Sequence, residues 1–218
     1  MIRNTVKSFI NKETLVVILI LIGILIVITI CIPIVYVTGR RTATEISSNN
    51  QSLMNPPPDY RQNKCTKSMS SITVIFSLEN QEPFPYKLHY YIYRPSPLTT
   101  TIFLIFGFRH DVSSWSLDKV SFVDKTYNKD LIKDGDFELN YLNKNYRQCI
   151  LSNTRSSISD ILSDIPYSGD YYYNDETKVG MNYLIQTIDG IAEGYYNISF
   201  YLENRGYSEN YFVLLVGS

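Results

Sequence analysis

Leu15 to Val37 reads LVVILILIGILIVITICIPIVYV, 23 residues without a charge, broken only by Gly23, Thr29 and Pro33. At 1.5 Å per residue such a run spans about 34 Å as a helix, enough to cross a bilayer core. A cleaved signal peptide has a shorter apolar core, about 7–15 residues, ending in small residues, and neither holds here. The run predicts an uncleaved transmembrane helix over 15–37. Arg3, Lys7 and Lys12 lie ahead of it and Arg40 and Arg41 behind, a weak positive-inside bias. Orientation follows from other features. About a dozen residues precede the span, and the long remainder carries two glycosylation acceptors, Asn50-Gln51-Ser52 and Asn197-Ile198-Ser199. The expectation is a signal anchor: tail 1–14 cytoplasmic, C-terminal part extracellular or lumenal, at the plasma membrane or an endomembrane.

Residues 38–64 read as a stalk. Thr42 to Lys64 is polar, and Pro56-Pro57-Pro58 favours an extended polyproline segment with no core of its own. Five of the 20 basic and one of the 21 acidic residues precede Thr42, so the remainder carries 15 and 20, a net charge of −5. A nucleic-acid partner would want a basic face, so none is expected. Cys31 falls in the apolar run, as packing or a lipidation site. Cys65 and Cys149 fall in the oxidising compartment and are expected to pair, closing a long loop. His89 and His110 are the only histidines, and no Cys/His set has zinc spacing.

After residue 70 the chain is rich in Tyr, Ile, Val, Thr and Phe, which favours strands. Ten are predicted, near 71–78, 86–93, 101–109, 115–123, 131–137, 146–151, 170–174, 182–188, 195–203 and 211–216, with Gly and Pro between them. No amphipathic helix intervenes, which indicates an all-β antiparallel sandwich over 65–218. Tyr86-Lys-Leu-His-Tyr-Tyr-Ile aligns with Tyr196-Asn-Ile-Ser-Phe-Tyr-Leu, and Ile102-Phe-Leu-Ile-Phe-Gly with Phe212-Val-Leu-Leu-Val-Gly, both at an offset of 110. These read as two hairpins with the same inward set, Tyr86, Leu88, Tyr90 and Ile92 against Tyr196, Ile198, Phe200 and Leu202. Tyr91, Tyr93, Tyr201 and Asn197 then point outward.

Trp115 to Glu138 carries the most specific local pattern. Its alternation puts Asp118 on one face with Val120 and Phe122, where a carboxylate needs a partner. Leu131-Ile-Lys-Asp-Gly-Asp-Phe-Glu138 resembles the opening strand of galactose-binding-like β-jelly-rolls, the fold of many carbohydrate-binding modules. Ser168-Gly-Asp-Tyr171, Tyr183-Leu-Ile-Gln-Thr187 and Tyr195-Tyr-Asn-Ile-Ser-Phe200 are similar to strands that follow there. Trp115-Ser-Leu-Asp-Lys-Val-Ser121 resembles its closing strand. The closing motif precedes the opening one. Two arrangements accommodate this: a single circularly permuted jelly roll, or the tail of one repeat and the head of another. Unpaired edges favour the former, which also lets Cys65 and Cys149 lie close.

The resemblance implies a structural calcium where opening and closing strands meet, with Asp118, Asp136 and Glu138 as ligands. Calcium takes six to eight oxygens, and crowded carboxylates repel without a cation. Lys119 stands where the family has a second Asp and could neutralise one of these acids. The resemblance also implies sugar recognition on aromatic platforms, for which Tyr91, Tyr93, Tyr201 and the Tyr171-Tyr172-Tyr173 run are candidates. No nucleophile elbow, phosphate loop or His-centred triad is present, so no enzyme is expected, a carboxylate-pair glycosidase being the remote exception. The expectation is a membrane-anchored module that binds glycans or a glycoprotein. A structural or adhesive domain without a sugar site is the alternative.

Overall fold

The computed structural model describes residues 63–142, 144–151, 155–207 and 209–218. The expected tail, membrane helix, nearly all of the stalk, Cys31 and Asn50 lie outside the described residues. Eleven strands follow: β1 (Ile72–Glu79), β2 (Phe84–Tyr93), β3 (Thr101–His110), β4 (Trp115–Asp124), β5 (Lys129–Asp130), β6 (Arg147–Ile150), β7 (Arg155–Leu162), β8 (Tyr172–Val179), β9 (Asn182–Asp189), β10 (Tyr196–Asn204) and β11 (Asn210–Gly217). They form two antiparallel sheets packed face to face. The five-stranded sheet runs β1-β11-β3-β9-β6. The six-stranded sheet runs β2-β10-β4-β8-β7, with β5 added alongside β4.

Strand composition decides which faces are wet. A strand buried on both sides reads as a continuous apolar run, whereas one with a solvated side alternates. β3 and β11, at the centre of the five-stranded sheet, are continuous (IFLIFGF and YFVLLV) and almost wholly buried. Their inward residues, Ile102, Phe106, Phe108, Phe212 and Leu214, meet Trp115, Leu117, Phe122 and Phe200 of the other sheet. Their outward residues, Ile105, Val213 and Leu215, form a second cluster with Met181, Tyr183 and Cys65, against which Met69 packs. Residues 63–71 therefore cover that face. Ser70 N and Ser71 N donate to the Ser218 carbonyl at 2.6 and 3.3 Å. Cys65 and Cys149 form a disulfide with 5.7 Å between Cα atoms, tying the segment to β6. β10 by contrast alternates strictly, with Tyr196, Ile198, Phe200 and Leu202 buried and Asn197, Ser199 and Tyr201 outward.

Four expectations are corrected. β7 (RSSISDIL) is absent from the predicted strands; it is a serine-rich outer strand whose pairing with β8 breaks register twice. Residues 131–137 are not a strand, since Asp134 and Phe137 adopt positive φ (56° and 59°) and coil the chain. The aligned stretches are not hairpins, because β2 and β3, like β10 and β11, lie in opposite sheets. The stretches pair with each other instead, β2 with β10 and β3 with β11. Finally, β2 is inverted. His89, Tyr91 and Tyr93 register with Phe200, Ile198 and Tyr196 and face inward, while Leu88, Tyr90 and Ile92 are 56%, 52% and 65% exposed. Both parities of β2 are apolar, so its sequence did not choose a face; pairing with the strictly alternating β10 did.

Candidate functional site

The outer face of the six-stranded sheet is where exposed aromatic and polar side chains converge. Tyr201 of β10 lies opposite Leu88 on one side and Asp118 on the other. Tyr167, from the loop joining β7 to β8, stacks on Tyr201 with ring centroids 3.6 Å apart and planes 16° apart. Tyr86 meets Tyr167 edge-on at 5.7 Å and donates from its hydroxyl to the Ile165 carbonyl at 3.3 Å. Burial pushes the Tyr86 hydroxyl well above the ordinary tyrosine range. Ser199 and Asn197 continue this face, with Ser121 and Val123 of β4 beside them.

A β-bulge sets the geometry beneath the tyrosines. Lys119 has φ 49°, and the β4–β10 register slips between Ser199 and Tyr201. The extra residue reverses the alternation. Leu117 and Val120 both reach the core, and Asp118 falls on the outer face instead of sharing a face with Val120 and Phe122 as expected. It is nonetheless fully buried, because the 163–170 loop closes over it. Asp118 Oδ2 accepts from Tyr167 N and Ser168 N at 2.9 and 3.1 Å, and Oδ1 from Lys119 N at 2.7 Å. Desolvation raises its pKa, and these amide bonds oppose the rise.

Glu138 clamps the other end of the loop, accepting from Asp170 N and Tyr171 N at 2.9 and 3.2 Å. It lies against Gly169 (φ +78°), where a Cβ would come within 2.1 Å of Glu138 Oε1. Arg205 adds a third hold. It donates to the Tyr172 hydroxyl at 3.1 Å, to Glu203 at 2.8 Å and to the Ile165 carbonyl at 3.4 Å. The Tyr172 hydroxyl in turn donates to Asp164.

Asp118, Asp136 and Glu138 are thus each partnered separately. Asp136 pairs with Lys119 at 3.6 Å, as the departure at position 119 suggested. Among the described residues no group of three or more His, Cys, Asp or Glu is placed to hold a metal ion. The two motifs nevertheless meet. Val120 N donates to the Gly135 carbonyl at 2.7 Å, and a Cβ on Gly135 would come within 1.9 Å of the Val120 carbonyl oxygen. Beside this junction a groove of about 430 Å³ is lined by Ser121, Asp130, Ile132 and Asp134.

The tyrosine candidates divide. Tyr201 is on the outer face. Tyr91 and Tyr93 are half-buried against the core, Tyr91 near Phe76 (5.2 Å) and Tyr93 near Phe122 (6.3 Å). Burial raises the Tyr91 hydroxyl to about 12. Tyr172 and Tyr173 are fully buried and Tyr171 packs on the core. Asn197 points outward, half-buried between β2 and β4.

Neither histidine lies in a catalytic arrangement. His110 is buried, with Nδ1 accepting from Ser113 N at 3.0 Å, so the proton sits on Nε2 and is donated to Asn204 Oδ1 at 2.9 Å. His89 stacks on Phe200 at 5.2 Å. A buried polar cluster around Asp175 escaped the sequence reading, as did Gln186, Asn204 and Asn210. Asp175 accepts from Asn182 Nδ2 at 2.6 Å, Thr177 N at 3.0 Å and the Tyr173 hydroxyl at 3.3 Å, which fastens β8 to β9 between the sheets. The signal was present in the alternation, since Tyr173, Asp175 and Thr177 share one face of the strand, and Tyr172 and Asn174 are buried on the other. No family model, curated protein or solved structure matches the chain.

Proposed function

We propose that the chain is a membrane-anchored extracellular or lumenal recognition module that binds glycans or a glycoprotein, without bond-making chemistry, on the outer face of its six-stranded sheet. The observation that carries this reading is the Tyr167–Tyr201 stack, held by backbone amides on Asp118 and bordered by Ser199, Asn197 and Ser121. Rigid aromatics beside hydrogen-bonding groups suit a sugar ring, whose faces are apolar and whose rim is polar. The nested strand order, with β1 to β4 alternating between the sheets and β8 to β11 returning beside them, supports a jelly roll. Contact between the 115–121 and 131–138 motifs supports the permuted galactose-binding-like arrangement. In this reading Asp118 and Glu138 serve the loop rather than calcium.

A glycan-array screen of residues 60–218, secreted from a eukaryotic host, tests the proposal. A defined class of hits, weakened about tenfold by Tyr201→Ala or Tyr167→Ala through loss of roughly 1–1.5 kcal/mol of aromatic contact, is expected. A blank array from folded protein overturns it. The second reading, an adhesive domain for protein contacts, is favoured by the flat apolar stripe of Leu88, Tyr90 and Ile92.

A further inference from the structure

Four strands end the two sheets among the described residues, and three of them are blunted. β1 carries a bulge between Val74 and Phe76. β6 has only four residues and is stapled to the covering segment through Cys149. β7 breaks register with β8 twice. Bulges, short length and covering segments are the usual protections against edge-to-edge pairing. β2 has one irregularity, confined to its start between Phe84 and Lys87, and none over Lys87–Tyr93. It is ten residues long, its register with β10 runs unbroken from Tyr93 to Lys87, and its outward residues Leu88, Tyr90 and Ile92 are apolar and more than half exposed.

The strand is also self-complementary. Proline cannot donate to a ladder, so Pro85 and Pro95 bound the segment able to pair, and Tyr90 is its midpoint. Antiparallel pairing of β2 with itself about Tyr90 places Tyr90 opposite Tyr90 and Leu88 opposite Ile92, all on the outer face. The cations Lys87 and Arg94 fall opposite Tyr93 and Tyr86 of the other copy, never opposite each other. Cations beside tyrosine faces attract, whereas like charges directly across a ladder repel. A two-fold axis through Tyr90 makes the contact isologous and closed, so it ends at a dimer.

We infer that β2 is the interface for a second copy of this chain, pairing antiparallel about Tyr90 to join two six-stranded sheets into one. The occupant is fixed by the symmetric prolines and the neutral register; an unrelated strand would require neither. The inference does not rest on the glycan reading, because Tyr167 and Tyr201 lie inward of the paired edge and stay open.

The test uses the full chain in mild detergent, carrying Cys31→Ser so that the only unpaired thiols are introduced ones. Opposed residues in a ladder bring Cβ atoms within disulfide reach. Tyr90→Cys is expected to crosslink to itself on mild oxidation, severalfold more than Leu98→Cys, a fully exposed loop position. Mixing Leu88→Cys chains with Ile92→Cys chains is expected to give more crosslinked dimer than either alone, a rule that packing through the flat face would not impose. Tyr90→Lys, added to the mixed pair, sets two ammonium groups together and is expected to abolish the crosslink with the melting temperature unchanged. The proposal is overturned if Tyr90→Cys crosslinks no better than Leu98→Cys, or if Leu88→Cys joins itself as readily as it joins Ile92→Cys.

Discussion

A carboxylate that accepts three main-chain hydrogen bonds beneath a loop holds that loop more firmly than side-chain contacts on a wet face could. Asp118→Ala is expected to destabilise the domain by about 2–4 kcal/mol, since it strands buried amides. Hydrogen exchange at Tyr167 and Ser168 should accelerate more than the global loss predicts, and urea unfolding gives the total. Asp118→Asn keeps an acceptor and should cost less. Gly135→Ala is expected to be harsher than a helix-propensity change, on the order of 2 kcal/mol or more, because the added carbon meets the Val120 carbonyl and not a side chain that can rotate away. A melting temperature within a degree of the parent would contradict the packing seen there. At this scale the need for a partner at Asp118 was legible from an acid on an apolar strand. Which partner was not, because the bulge at Lys119 is set by tertiary pairing and leaves no mark beyond one residue with positive φ.

Among elements, those whose two faces differ in polarity were readable and those with uniform faces were not. β10 alternates, and its inward set follows from composition alone. β2 offers apolar side chains at every parity, so only its register with β10 selects the face, and the outward assignment of Tyr91 and Tyr93 failed for that reason. β7, with three serines in eight residues, carries no hydrophobic period and is defined by its pairing with β8. The Cys65–Cys149 bridge was anticipated from compartment and position, and it closes an 84-residue separation. Replacing both cysteines with serine is expected to cost about 2–5 kcal/mol, measured by denaturant unfolding of the oxidised parent and the variant. Because residues 63–71 also shield Ile105, Val213 and Leu215, dye binding to exposed apolar surface should rise in the variant before global unfolding.

The whole molecule's response to acid follows from its two histidines. Burial holds His110 and His89 below the ordinary imidazole pKa of 6.5, and in His110 protonation would also cost the bond from Ser113 N. The unfolded chain therefore binds protons that the folded one refuses. Their contribution is fully present above about pH 6.5 and is lost as pH falls through the unfolded value. Asp118 and Asp175 act in the opposite sense, since burial raises both: the folded chain takes up their protons before the unfolded one, and stability from them grows as pH falls toward the ordinary carboxylate value. The melting temperature is expected to fall between pH 7 and 5, with both imidazoles titrating below 6.5 by NMR; a titration above 6.5 would contradict their neutral burial. The sandwich itself was visible in the spacing of apolar runs and turns. The nested order was not, because the like sequences of β2–β3 and β10–β11 suggest local hairpins, whereas the fold pairs them across the molecule.

The covering segment has a mechanical consequence. The first described residues reach the five-stranded sheet through the Asn63 side chain on Tyr183 of β9, through the Ser70 and Ser71 amides at the β1–β11 end and through a covalent bond at β6 on the far side. Tension applied at the N-terminal side of residue 63 meets its first covalent hold at Cys65 and is delivered to β6 before it can peel β1. With the bridge intact, the strand that begins the domain is shielded from load. With it reduced, the same pull unzips β1 from β11 one hydrogen bond at a time, so the thiol state sets how much force the sandwich bears.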